Sequence, residues 1–144
     1  MLRTITSVIF GTIFGMTAMM IMHYLSILVY PLPEGMIFPP KSDEEIKLFN
    51  TYLETAPSGS FVLAMVSHLF GVLFASIIGY KIFKSKEWFK RNKSTLTIIL
   101  IGIIFTITGF MNLQSIPHPT WFKIELVLYI PFSFLGYKLI AKKN

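Results

Sequence analysis

The sequence predicts an all-α fold: an integral membrane four-helix bundle with a short amphipathic surface helix in its first outer loop. Three observations predict it. The 144-residue chain is 53% hydrophobic and only 14% charged, whereas a soluble domain carries about 25% charged residues. Four apolar stretches, each near the ~20 residues a helix needs to cross the hydrocarbon core, are separated by polar or basic connections. The basic residues, finally, gather on one of the two sides that such a bundle would have, which is how cytoplasmic loops are marked. Residues 1–144 are read as a single membrane domain.

The first span is placed at about 4–30, because no charged residue falls between Arg3 and Glu34 and ~20 apolar residues suffice to cross. A cleaved signal peptide would have an apolar region of ~7 to 15 residues and end at a small-residue cleavage site. This segment is longer and no such site follows Val29, so it is expected to be retained. The outer loop, 31–57, is rich in proline, at positions 31, 33, 39, 40 and 57. Within it, Ser42 followed by Glu45 is a capping-box pattern, and Ile46, Phe49 and Leu53 recur at helical spacing. A helix at about 43–54 follows, with one apolar face suited to rest on a membrane surface or to cover the ends of the spans.

The second span runs from about 58 to 80, since no charge occurs between Glu54 and Lys81 and the stretch exceeds the ~20 residues required. Its small residues Ser67, Gly71, Ala75 and Gly79 stand four apart and form a stripe on which another helix can pack closely. His68 lies beside that stripe. Six basic residues and one acid then fill positions 81–93. A third span, about 95–113, carries Gly102, Thr106 and Gly109 on one face and Asn112 near its end; the two glycines are read as packing positions like those of span two. The fourth, about 120–141, has Glu125 near its start and Pro131 in its middle, where the missing N–H and the ring are expected to kink it. Glu125, Tyr129, Phe132 and Gly136 share one face of it, with Gly136 allowing close approach.

With four spans, the N-terminal tail, the 81–93 connection and the C-terminal tail share a side. That side holds ten of the thirteen Lys and Arg residues: Arg3, the six of the connection, Lys138, Lys142 and Lys143. Both termini are therefore expected in the cytoplasm. At ~1.5 Å per helical residue, His23, His68 and Glu125 lie about 8 to 14 Å below the opposite, outer surface, with Asn112 and His118 near it. Ionisable groups inside a span usually face the bundle interior or a cavity. His23, His68, Asn112, His118, Glu125 and Tyr129 are accordingly the candidate lining of one outward-facing pocket. Each also has a plainer reading: a buried histidine can simply join two helices, Glu125 can reach the interface beside Lys123, and Asn112 can cap span three. His118 is held between Pro117 and Pro119, which restrict the backbone around it.

Apolar walls with a few convergent polar groups describe a binding site for a lipid, a quinone or another small amphipathic molecule, bound or transported. Two other functions fit the same residues: a structural or accessory subunit of a larger membrane complex, and a membrane enzyme using His/Glu acid–base chemistry. The expected partners are membrane lipid and either a partner membrane subunit or further copies of the chain. Nucleic acid is not expected, because the basic residues flank apolar runs rather than form a patch. The absence of cysteine removes disulfides and thiolate sites. Imidazole and carboxylate are ordinary zinc ligands, but no two histidines stand at helical ligand spacing, so neither a metal nor another cofactor is assigned.

The stretch Ser67-His68-Leu69-Phe70-Gly71, Asn112 followed by Ile116-Pro117-His118-Pro119-Thr120-Trp121-Phe122, and the acidic span from Glu125 to Gly136 together resemble a family of small four-span bacterial membrane proteins. The shared element is Asn-x4-Pro-His-Pro-x-Trp. The resemblance covers most of the chain and implies the four-span architecture and a bacterial cytoplasmic (inner) membrane; it brings no activity with it. A looser likeness to four-span sterol isomerase-like proteins breaks down at Val72, where those proteins have a glutamate four residues after the histidine.

Overall fold

Polarity in this molecule runs inside out. Ile13, Leu28, Phe110, Val127 and Leu139 are exposed, while Ser7, Ser67, Ser76, Thr97, Ser133 and Glu125 are buried. Water would reverse that arrangement; lipid, which is as apolar as leucine, does not. The computed structural model describes residues 2–82 and 91–141. Over these the chain is all-helical: α1 (Leu2–Val29), α2 (Asp43–Thr55), α3 (Ser58–Ile82), α4 (Arg91–Ser115), a 3-10 turn (Thr120–Ile124) and α5 (Glu125–Ala141). Stretches of α1, α3 and α4, at Thr4–Val29, Ser58–Lys81 and Thr95–Ser115, are long and apolar enough to cross a membrane. This is a membrane protein. The basic connection at 81–93 and the lysines at 142 and 143 lie largely or wholly outside the described residues.

Small residues decide which helices touch. A Cβ built on Gly71 of α3 would stand 2.9 Å from the Gly15 carbonyl oxygen of α1, and one on Gly15 would stand 2.5 Å from the Ala75 Cβ. The stripe Ser67, Gly71, Ala75, Gly79 therefore lies against α1, which answers with its own small residues, Ser7, Gly11 and Gly15, also four apart. The Ser7 hydroxyl donates to the Gly79 carbonyl across this seam. Gly136 brings α5 onto the Leu73 carbonyl of α3, and Gly102 lets α4 approach Ile130 and Ser133 of α5. Around these crossings Val8, Leu69, Val72, Ala75, Ile101, Phe105 and Tyr129 form the core.

The expected helix near 43–54 is present as α2, and its start is fixed as its sequence requires. The Glu45 N–H donates to the Ser42 hydroxyl at 3.2 Å, and the Glu45 carboxylate accepts from the Ser42 and Lys41 N–H groups at 3.3 and 2.6 Å. The segment from residue 120 differs from expectation. It begins as a 3-10 turn closed by the Phe122 N–H on the Pro119 carbonyl at 2.9 Å, and α-helix starts only at Glu125. Pro119 has extended ψ and no side-chain hydrogen bond to offer the turn, so the first residues tighten into i→i+3 bonding. Glu125 thus opens α5 instead of lying a turn and a half inside a helix. Pro131 sits within α5, which continues through it.

Candidate functional site

Beneath α2, at the end of the bundle that carries the 31–57 connection, lies a cavity of about 380 Å³. Toward this end the small seam residues of α1 give way to Met16, Met19, Met20 and His23, which line it from α1. Phe61, Ala64 and His68 line the cavity from α3; Phe105, Thr108 and Asn112 line it from α4; Tyr129 closes it from α5. Phe38 and, from α2, Phe49, Tyr52 and Leu53 cover it. Of the apolar face expected on α2, Ile46 is instead exposed.

The polar centre is the pair His68 and Glu125. The Glu125 Oε2 atom is 2.9 Å from His68 Nδ1, and the Glu125 side chain is wholly buried. Its other oxygen, Oε1, has no hydrogen-bond partner among the described residues. The Tyr129 hydroxyl lies 3.4 Å from the same Nδ1, beyond the usual range of a good hydrogen bond. Gly109 makes room for that tyrosine: a Cβ there would come within 2.5 Å of the ring. Because Nδ1 is occupied by the carboxylate, Nε2 is the nitrogen that His68 offers to the cavity it lines. A carboxylate behind an imidazole fixes the ring's orientation, as it does in acid–base pairs and in metal-bound histidines.

Two more imidazoles stand close by. The ring of His23 meets that of His68 edge-on with centroids 5.0 Å apart, and lies 5.9 Å from the Phe38 ring. His118, between its prolines, turns Nδ1 toward the Ile116 carbonyl at 2.7 Å and stacks on Phe122 at 4.7 Å. Burial holds its pKa below the ordinary 6.5, against the opposing pull of the Ile116 hydrogen bond. It is therefore neutral at pH 7, with Nδ1–H donating to Ile116.

Of the six candidates from the sequence, His23, His68, Asn112, His118 and Tyr129 line the cavity, while Glu125 stands directly behind His68. Phe122, which sequence reasoning does not single out, is wholly buried and joins the group, its ring edge-on to Phe61 and His68 at 6.0 and 6.1 Å. Its one signal is its place directly after Pro-His-Pro-x-Trp. The methionines of α1 carry no signal distinguishing them from lipid-facing apolar residues. Among the described residues, no group of three or more His, Cys, Asp or Glu side chains is disposed to hold a metal ion.

No family model, curated protein or solved structure matches this chain.

Proposed function

We propose that this is a four-span protein of a bacterial cytoplasmic membrane whose outward-facing cavity binds a small amphipathic molecule, a lipid or a quinone. The observation that carries the reading is the cavity itself: about 380 Å³, apolar over most of its wall, with His68 oriented into it by a buried Glu125. That volume falls within the ~300 to 1,000 Å³ of ordinary small-molecule sites, which combine greasy walls with a few placed polar groups. The fourth span is the 3-10 turn together with the 17 residues of α5, which at ~1.5 Å per α-helical residue and slightly more in the turn reaches across the hydrocarbon core. The basic residues at 81–93 and at the C-terminus put both termini in the cytoplasm and the cavity, with α2 over it, on the outer side. The Asn-x4-Pro-His-Pro-x-Trp element supports membership of the small four-span family that it resembles.

A membrane enzyme is the second reading. It is favoured by the 2.9 Å contact between Glu125 and His68, since an imidazole backed by a carboxylate is a competent proton carrier. Native mass spectrometry of gently extracted protein, with identification of released small molecules, tests the binding reading. A stoichiometric amphiphile that is lost on filling the cavity by Ala64→Trp is the expected result. Protein that carries only exchangeable bulk lipid, unchanged by that substitution, would overturn it.

A further inference from the structure

We infer that the ligand's head is an uncharged ring bearing a carbonyl oxygen, a quinone-like group, and that His68 Nε2–H donates a hydrogen bond to that oxygen. This deepens the binding reading above and rests on it.

The argument is one of charge and protons. Among the described residues, no Lys, Arg, Asp or Glu side chain lines the cavity, and the only carboxylate against its wall is Glu125, behind His68. An uncompensated charge in such surroundings is very unfavourable, so a buried group neutralises or pairs instead. Three arrangements of His68 and Glu125 have no net charge. In one, a carboxylate faces an imidazolium, which carries protons on both nitrogens. In the second, a carboxylic acid donates its O–H from Oε2 to Nδ1 of a neutral imidazole, whose proton must then be on Nε2. In the third, Nδ1–H donates to Oε2 and the acid proton is on Oε1, which would bury an O–H that has no acceptor among the described residues and is unfavourable for that reason. The two arrangements that leave no such orphaned O–H both present Nε2–H to the cavity.

A donor at the cavity wall selects an acceptor on the ligand. With no Lys or Arg in the lining among the described residues, and any charge on His68 already balanced by Glu125, the carboxylate of a fatty acid or the phosphodiester of a phospholipid would bring an unbalanced charge into the site, whereas a neutral carbonyl brings none. Rings at Phe61, Phe105 and Tyr129 line the same space and suit a flat conjugated head. Asn112, at the covered end, has an amide N–H₂ to offer a second oxygen.

The test uses the whole protein in nanodiscs and three probes: a decyl-substituted benzoquinone, decylbenzene and palmitate. Quinone binding is followed by quenching of tryptophan fluorescence, Trp121 being next to Phe122 at 5.8 Å between ring centroids, and the other two by displacement of the quinone. The expected result is saturable quinone binding that decylbenzene and palmitate displace at least about tenfold less well than unlabelled quinone, a tenfold difference being about 1.4 kcal/mol. His68→Phe weakens quinone binding by about tenfold. Glu125→Gln weakens it by only a few-fold, because a carboxamide can bond Nδ1 either way round. Palmitate or decylbenzene competing as well as the quinone would overturn the inference and leave the cavity an amphiphile site. Quinone affinity unchanged in a folded His68→Phe variant would also overturn it. Failure of all three probes to bind would remove both readings together.

Discussion

Replacing Glu125 by leucine removes the partner of a buried imidazole while nearly conserving volume, so its effect measures what the pair contributes. In the wild type, Oε2 is 2.9 Å from His68 Nδ1, and the Tyr129 hydroxyl at 3.4 Å is too far to replace it without movement. Leaving a buried polar group unsatisfied costs about 1 to 3 kcal/mol. That term is largely cancelled, since leucine also removes the unpartnered Oε1, whose burial is itself unfavourable by a similar ~1 to 3 kcal/mol. What remains for Glu125→Leu is the lost hydrogen bond, a destabilisation of about 0.5 to 1.5 kcal/mol. Glu125→Gln keeps a hydrogen bond to Nδ1 and is expected to cost less than about 1 kcal/mol. Joined with His68→Leu, the Glu125→Leu effect should shrink, with a coupling energy of roughly 1 to 2 kcal/mol. Equilibrium unfolding by steric trapping in bicelles reads all four variants. Equal stability of the Leu and Gln variants, or strict additivity in the double variant, would refute the reasoning.

Three further outcomes are expected. Gly71→Leu forces apart α1 and α3 where a Cβ already meets Gly15 O and Met19 Cβ at 2.9 Å, so it should lower thermal stability in detergent several times more than Leu73→Ala does; equal losses would place that face of α3 against lipid. A cysteine at Ser42 should react with an impermeant reagent added outside intact cells, and one at Ser85 should not; the reverse pattern would invert the orientation. Because burial lowers the pKa of folded His118 beneath the ordinary 6.5, the unfolded chain binds more protons just below that value, and stability is lost as pH falls through it. Unfolding of the detergent-solubilised protein between pH 7 and 5 should show this loss, with a shallower slope in His118→Gln.

Much of this architecture is legible in the sequence because helices turn position into geometry. The capping box at Ser42 and Glu45, the small stripe on α3 and the glycines at 102, 109 and 136 follow from spacing alone. Height along the bundle is legible too. The constant rise per residue puts His68 and Glu125 at similar depth, and the two are in contact. Lateral position is not legible, since nothing in one sequence says which helix a polar face will meet. The partner stripe Ser7, Gly11, Gly15 has the same four-residue spacing as its counterpart, yet within an apolar run rich in Ile and Phe it does not announce its face. Two local features also escape pattern reading. The 3-10 turn after Pro119 depends on the backbone set by two prolines, and it moves Glu125 to the head of α5. Phe122 looks like one more interfacial aromatic beside Trp121 until the fold buries it against His118 and His68.

The central claim, that the cavity under α2 receives an amphiphile beside His68, is tested most directly by photocrosslinking. A decyl quinone carrying a diazirine on its tail, irradiated with the protein in nanodiscs and mapped by peptide mass spectrometry, should label the cavity wall at residues such as Met20, Phe61, Ala64 and Phe105, and excess unlabelled quinone should suppress that labelling. Labelling confined to exposed apolar residues such as Ile107 and Phe110, and unaffected by competitor, would contradict the account.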